Sequence, residues 1–137
     1  MTDAEKRAAA AAEAERQRVA AIMAQINEID QKIRESNQVK GKLSSCKSSL
    51  VSEIESWKNV RTALNSDVRY TQIVTTDIFE GEMADRLKTY MSTVVSDINT
   101  GISDSSNLLS ELETQISALT AYEGRLSAKR AGLASQL

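Results

Sequence analysis

The side chains able to do chemistry in this chain are few in kind: 19 acidic and 17 basic residues, three tyrosines, a single cysteine and no histidine. Without imidazole, zinc, haem and triad chemistry of the usual kinds is excluded, and acid–base catalysis would rest on carboxylates, Lys or Tyr. The carboxylates fall into helix-face pairs with a base or into caps, as Glu82 and Asp85 do around Arg86. Cys46 alone forms no disulfide framework within the chain and no CxxC metal spacing. Glycines 41, 81, 101, 124 and 132 are isolated, so no phosphate-cradling loop is present. No catalytic, cofactor-binding or metal-ligating constellation is expected. The spacing that stands out is one for recognition, Phe79-Glu80-Gly81 followed by Ala84.

Composition narrows the scaffold that must position such a motif. The chain has 137 residues, no proline, 41% hydrophobic residues and only 4% aromatic ones. A thin core of Ile, Leu, Val, Met and Ala suits elongated helix-on-helix packing. The net charge of −2 offers no field to gather nucleic acid, and Lys6, Arg7, Arg16 and Arg18 are interleaved with Glu5, Glu13 and Glu15 as on a solvated helix face. No apolar run approaches the roughly 18 residues of a membrane span. Met1-Thr2-Asp3-Ala4-Glu5-Lys6 lacks the layout of a secretory signal. A cytoplasmic protein is expected, with any export by a route that needs no cleavable signal peptide.

Two helical arms are legible. Thr2-x-x-Glu5 is a capping box, in which a hydroxyl and a carboxylate satisfy orphan amides at a helix start. Steps of seven from Ile22 pass through Ile29, Ser36, Leu43, Leu50, Trp57 and Leu64. Beside them runs Ile26, Ile33 and Ile54, interrupted by Lys40, Lys47 and Arg61, while Val39, Cys46 and Val60 fill a neighbouring column. This is a heptad-like seam with an imperfect second column. Cys46 and Trp57 are expected to face inward, the first as a small hydrophobe and the second as a packing anchor.

Asn65-Ser66-Asp67 reads as a helix stop, and the β-branched run Ile73-Val74-Thr75-Thr76 lowers helix propensity. Asp77 with Glu80 caps a second arm, whose apolar residues from Met83 to Leu133 recur at three- and four-residue steps. The fold class expected is all-α, a single domain over 1–137: arm one about 3–66, turn about 67–77, arm two about 78–135, forming a long antiparallel coiled-coil-like hairpin. Folding about position 72 or 73 places Gly41 and Gly101 at one level, with either a tolerated kink in each arm or close approach of a partner helix.

Val94-Val95 and Leu108-Leu109 double the apolar positions of arm two, and Ile102 lies off its main line. A stripe this wide exceeds what one facing helix covers, so completion into a helical bundle by a partner or a second copy is expected. The partner-binding candidates are Trp57, Phe79, Gly81, Ala84, Val95, Ile102 and Leu108. An aromatic ring beside the turn suits a hairpin plug or an anchor, and Gly81 admits close approach.

Taken together, a hairpin with Phe79-Glu80-Gly81-x-x-Ala84 near its turn resembles the WXG100 superfamily of type VII secretion systems, whose motif is Trp-x-Gly. The long arms and the charged, Ala-rich start look more like the small helical partners of LXG-domain toxins. The resemblance implies a non-enzymatic targeting chaperone that binds the helical N-terminal region of an LXG-type toxin. A second small helical partner or a homodimer are further options. Phe stands where the family has Trp, Trp57 is followed by Lys58-Asn59, and Tyr122 is followed by Leu126 where the family's export signal has an acidic residue. The other reading of the same heptads is a structural coiled-coil subunit of a filament, tether or cytoskeletal complex, with a membrane-surface helix third, since the basic residues are not segregated from an apolar face.

Overall fold

A computed structural model describes residues 2–67 and 82–137, with the side chains of Met83 and Ala84 also outside the description. The described residues form two helices, α1 at Asp3–Ser66 and α2 at Glu82–Ala134, packed against each other as a hairpin with no strand. The expected turn beyond Asp67, the cap at Asp77 and the motif residues Phe79, Glu80 and Gly81 lie outside the described residues.

Local chemistry sets the described ends. Glu5 Oε2 accepts from the Thr2 amide at 2.7 Å and the Glu5 amide donates to Thr2 Oγ1 at 3.1 Å, closing the capping box. At the far end of α1 the Asp67 amide turns back to the Leu64 carbonyl at 3.3 Å. Neither helix is broken at a glycine. Gly41 lies inside α1, and Gly101, Gly124 and Gly132 lie inside α2. A Cβ built at any of these four meets nothing within 4 Å, so no close approach within the chain explains them.

The chain clusters into two compact units, one of Met1–Lys42 with Gln115–Leu137 and one of Leu43–Thr114. In unit one Ile22, Ile26 and Ile29 are buried, and Arg130 donates to Asp30 Oδ1 at 2.7 Å. Lys40 meets Glu123 at 2.9 Å. The helix start extends beyond this pairing: every residue from Thr2 to Arg18 is exposed, and the Arg18 guanidinium donates to the Gln136 carbonyl near the other terminus at 2.9 Å. The stretch before Arg18 is held by its own chemistry, an Ala-rich composition with the pairs Arg16–Glu13 and Arg18–Glu15.

In unit two the core is Ile54, Ile98 and Ile102, with Leu50, Leu64, Val94 and Leu109 packed against it. Lys47 pairs with Glu113 at 3.4 Å and Arg61 donates to Asn99 at 3.1 Å. Each buried isoleucine contributes about 1.5–3 kcal/mol by removing apolar area from water. Among the described residues no side chain here reaches full enclosure, as expected of a core only two helices thick.

The cross-helix pairs correct the expected register. Asp30–Arg130 in unit one, and Lys47–Glu113 and Arg61–Asn99 in unit two, are each centred on position 80, not on 72 or 73. Gly41 is therefore level with the neighbourhood of residue 119 and Gly101 with that of residue 59. They do not meet. The seam, not the equality of arm lengths, fixes this offset, because the start of α1 extends past the end of α2.

Candidate functional site

Burial along α1 advances from Val19 by alternating steps of three and four through Ile22, Ile26, Ile29, Ile33, Ser36, Lys40, Leu43, Lys47, Leu50 and Ile54, skips the exposed Trp57, and resumes at Arg61 and Leu64. This is a heptad seam whose second column keeps its charged members. They remain because each finds a partner on α2, as Lys40, Lys47 and Arg61 do.

The seam's geometry overturns two expectations about inward side chains. Cys46 is exposed, because Leu43, Lys47 and Leu50 take the seam and leave position 46 on its flank. Trp57 occupies a seam position by spacing yet is 48% exposed, while Ile54 beside it is buried. Its indole is too large for the thin two-helix interior and turns toward the flank.

Of the recognition candidates on arm two, Ile102 lies inside the core of unit two, where it packs with Ile54 and Ile98. Val95 is half-buried at the seam. Leu108 is 48% exposed, whereas its neighbour Leu109 packs against the core. Ala84 lies in the first turns of α2, its side chain outside the described residues, as are Phe79 and Gly81.

Trp57 and Leu108 belong to one feature of unit two. A shallow groove of about 430 Å³ is lined by Trp57 and Val60 from α1 and by Val94, Asp97, Ile98 and Gly101 from α2. A second, of about 480 Å³, is lined by Cys46, Leu50 and Glu53 from α1 and by Leu108 and Leu112 from α2. Cys46 and Val60 are two heptads apart on α1, and Val94 and Leu108 two heptads apart on α2, so the grooves open on the same flank of the helix pair. Leu87, 37% exposed, continues the α2 column one heptad earlier. The opposite flank of unit two carries Lys47–Glu113 and Arg61–Asn99, and Val51 is its one exposed large hydrophobic among the described residues.

Sequence reasoning missed Val60, Val94 and Leu87 as members of this surface. Their signal was present as the seven-residue recurrence of Leu87, Val94, Gly101 and Leu108 beside the seam, hidden because doubled apolar residues look alike until the seam has been located.

Unit one has a polar layer at the corresponding seam positions. Lys40 holds the Glu123 carboxyl below its ordinary range, with the Ser36 hydroxyl adding to the effect and partial desolvation opposing it. Ser36 Oγ and Glu123 Oε1 are sequestered, and neither reaches good hydrogen-bond geometry. A charged layer in an apolar seam penalises slipped registers, since slippage strands the charge. At the helix start the Arg18 guanidinium, hydrogen-bonded to Glu15, holds that carboxyl down in the same way.

Among the described residues no group of three or more Cys, Asp or Glu side chains is arranged to hold a metal ion, and no helix is long and apolar enough to cross a membrane. The described residues define an all-α helical hairpin with an uncovered apolar flank on unit two. Comparison with protein-family models, with curated proteins and with solved structures finds no match to this chain.

Proposed function

We propose that this chain is a non-enzymatic helical targeting partner, which binds the helical N-terminal region of an LXG-type toxin for export by a type VII secretion system. The observation that carries the reading is the apolar flank of unit two, where Trp57, Val60 and Leu108 stay in water on a hairpin too thin to enclose them. Exposed apolar side chains recurring on one flank over two heptads mark an interface. The aromatic-x-Gly spacing at Phe79 and Gly81, with Ala84, supplies the link to type VII secretion. In this role the chain meets its toxin in the cytoplasm and either remains there or travels with it.

Co-expression with the helical N-terminal region of an LXG toxin encoded in the neighbouring reading frame tests the proposal. A stable small complex, and loss of toxin export on changing Phe79 to Ala and Gly81 to Leu with helicity retained, are expected. Unchanged export together with no complex would refute it.

One observation favours a second reading, a structural coiled-coil subunit of a filament or tether. The stretch of α1 before Arg18 has no cross-helix hydrogen bond or ion pair among the described residues, and its exposed helical surface suits overlap with another helix. Stoichiometry separates the two. A secretion partner forms a closed complex, whereas a filament subunit lengthens with concentration.

A further inference from the structure

We infer that the exposed flank of unit two is a docking groove for one amphipathic helix whose apolar stripe is bordered by Lys or Arg. The inference rests on the partner-binding reading above only in requiring a helical partner, and it assigns the face and the chemistry of that partner.

The groove's form selects a helix. Its apolar members recur at heptad intervals on both walls, Cys46 and Val60 on α1 and Leu87, Val94 and Leu108 on α2. Two antiparallel helices offer holes at this spacing to the knobs of a third helix. Gly101 sits in the α2 wall with nothing within 4 Å of a built Cβ, which leaves room for a large side chain of the incoming helix opposite Trp57.

The rim selects the charge. Asp97, Asp104 and Glu111 recur at seven-residue steps along the outer edge of the α2 wall, and Glu53 stands on the α1 wall. All four are exposed, and none has an ion-pair partner among the described residues. Among the described residues the basic side chains of unit two lie elsewhere: Lys47 and Arg61 pair on the other flank, Lys58 follows Val51 by one heptad on that same flank, Lys88 precedes the seam residue Val95 by one heptad, and Arg86 is paired with Glu82 at 2.6 Å. An incoming helix edged with Lys or Arg meets complementary potential along its whole length, and one edged with Glu is repelled.

The same rim argues against a second copy as occupant. Two unit-two flanks brought face to face would oppose their acidic rims. Unit one is net basic, but it lacks a matching apolar column, since the positions equivalent to Cys46 and Val60 hold Gln25, Lys32 and Val39.

Trp57, the only tryptophan, lies in the groove and reports its occupancy. The test uses the full chain and two synthetic helical peptides about three heptads long with one leucine stripe, bordered by lysine in the first and glutamate in the second. The lysine peptide is expected to shift Trp57 emission to the blue and to bind at least about tenfold more tightly than the glutamate peptide, the difference shrinking with salt. Leu108→Glu, exposed and so tolerated by the fold, should weaken lysine-peptide binding by about tenfold or more, whereas Ser106→Glu on the other flank should not. Equal binding of both peptides, or equal loss from Leu108→Glu and Ser106→Glu, would overturn the inference. Sedimentation showing the chain alone as a dimer with Trp57 already blue-shifted would also overturn it, in favour of a second copy. A toxin region that fails to bind while the lysine peptide still does would refute the toxin assignment and leave the groove standing.

Discussion

In unit one the exposed large hydrophobics are Met23, Val39 and Leu137, scattered along the helices, whereas unit two exposes Val51, Trp57, Val60, Leu87, Tyr90 and Leu108, four of them in adjoining columns of one flank. Among the described residues each unit buries three isoleucines, and both have charged residues in the seam of α1. A two-helix seam that runs short of apolar side chains is completed by ion pairs, as at Lys40–Glu123. One with apolar side chains to spare turns them outward, and the excess marks where another surface belongs.

The comparison breaks most readily at the unit-two core. Ile54→Ala should cost about 2–4 kcal/mol in urea denaturation, while Leu108→Ala should cost less than about 1 kcal/mol because half of its side chain is already in water. Equal costs would mean that the flank is part of the chain's own core.

The polar layer of unit one gives the next effect. Because the folded Glu123 carboxyl is held below its ordinary value of 4.5, chiefly by Lys40, its stabilisation is fully present above that value. It is lost as pH falls through the lowered folded value. Glu123→Gln should remove this part of the acid-induced loss, read as a flatter stability-against-pH curve below the ordinary carboxylate range. An unchanged acid limb would remove Lys40–Glu123 from the set of interactions that hold unit one.

Helix continuity predicts a smaller gain. Gly124→Ala in unit one and Gly101→Ala in unit two should each raise stability by about 0.5–1 kcal/mol, since a Cβ meets nothing at either position. Gly101→Ala should in addition weaken lysine-peptide binding, and Gly124→Ala should not. Smallest in its effect on global stability is Thr2→Ala, which should cost the helix start about 1 kcal/mol locally, visible as faster amide exchange in the first turn with no change in the global unfolding midpoint.

The hairpin was legible in the sequence because no proline interrupts the heptads and Thr2-x-x-Glu5 fixes where α1 starts. Register was not. Equal arms suggested a fold about position 72 or 73, yet cross-helix partners such as Arg61 and Asn99 centre on 80, and only a located seam reveals that α1 starts beyond the end of α2. The same gap hid the outward face: Cys46, one residue from the seam, and Trp57, too large for it, could be placed only once Lys47 and Ile54 were seen inside. Doubled residues such as Leu108-Leu109 announced a wide stripe but not which member faces the core.

The most direct test of the flank as the partner-covered surface is acrylamide quenching of Trp57 in the free chain and in a complex with the helical N-terminal region of the proposed toxin partner. Roughly half exposed in the free chain, Trp57 should quench readily there and become strongly protected in the complex, with protection lost in Leu108→Glu. A complex that forms while Trp57 stays as quenchable as before would contradict the assignment.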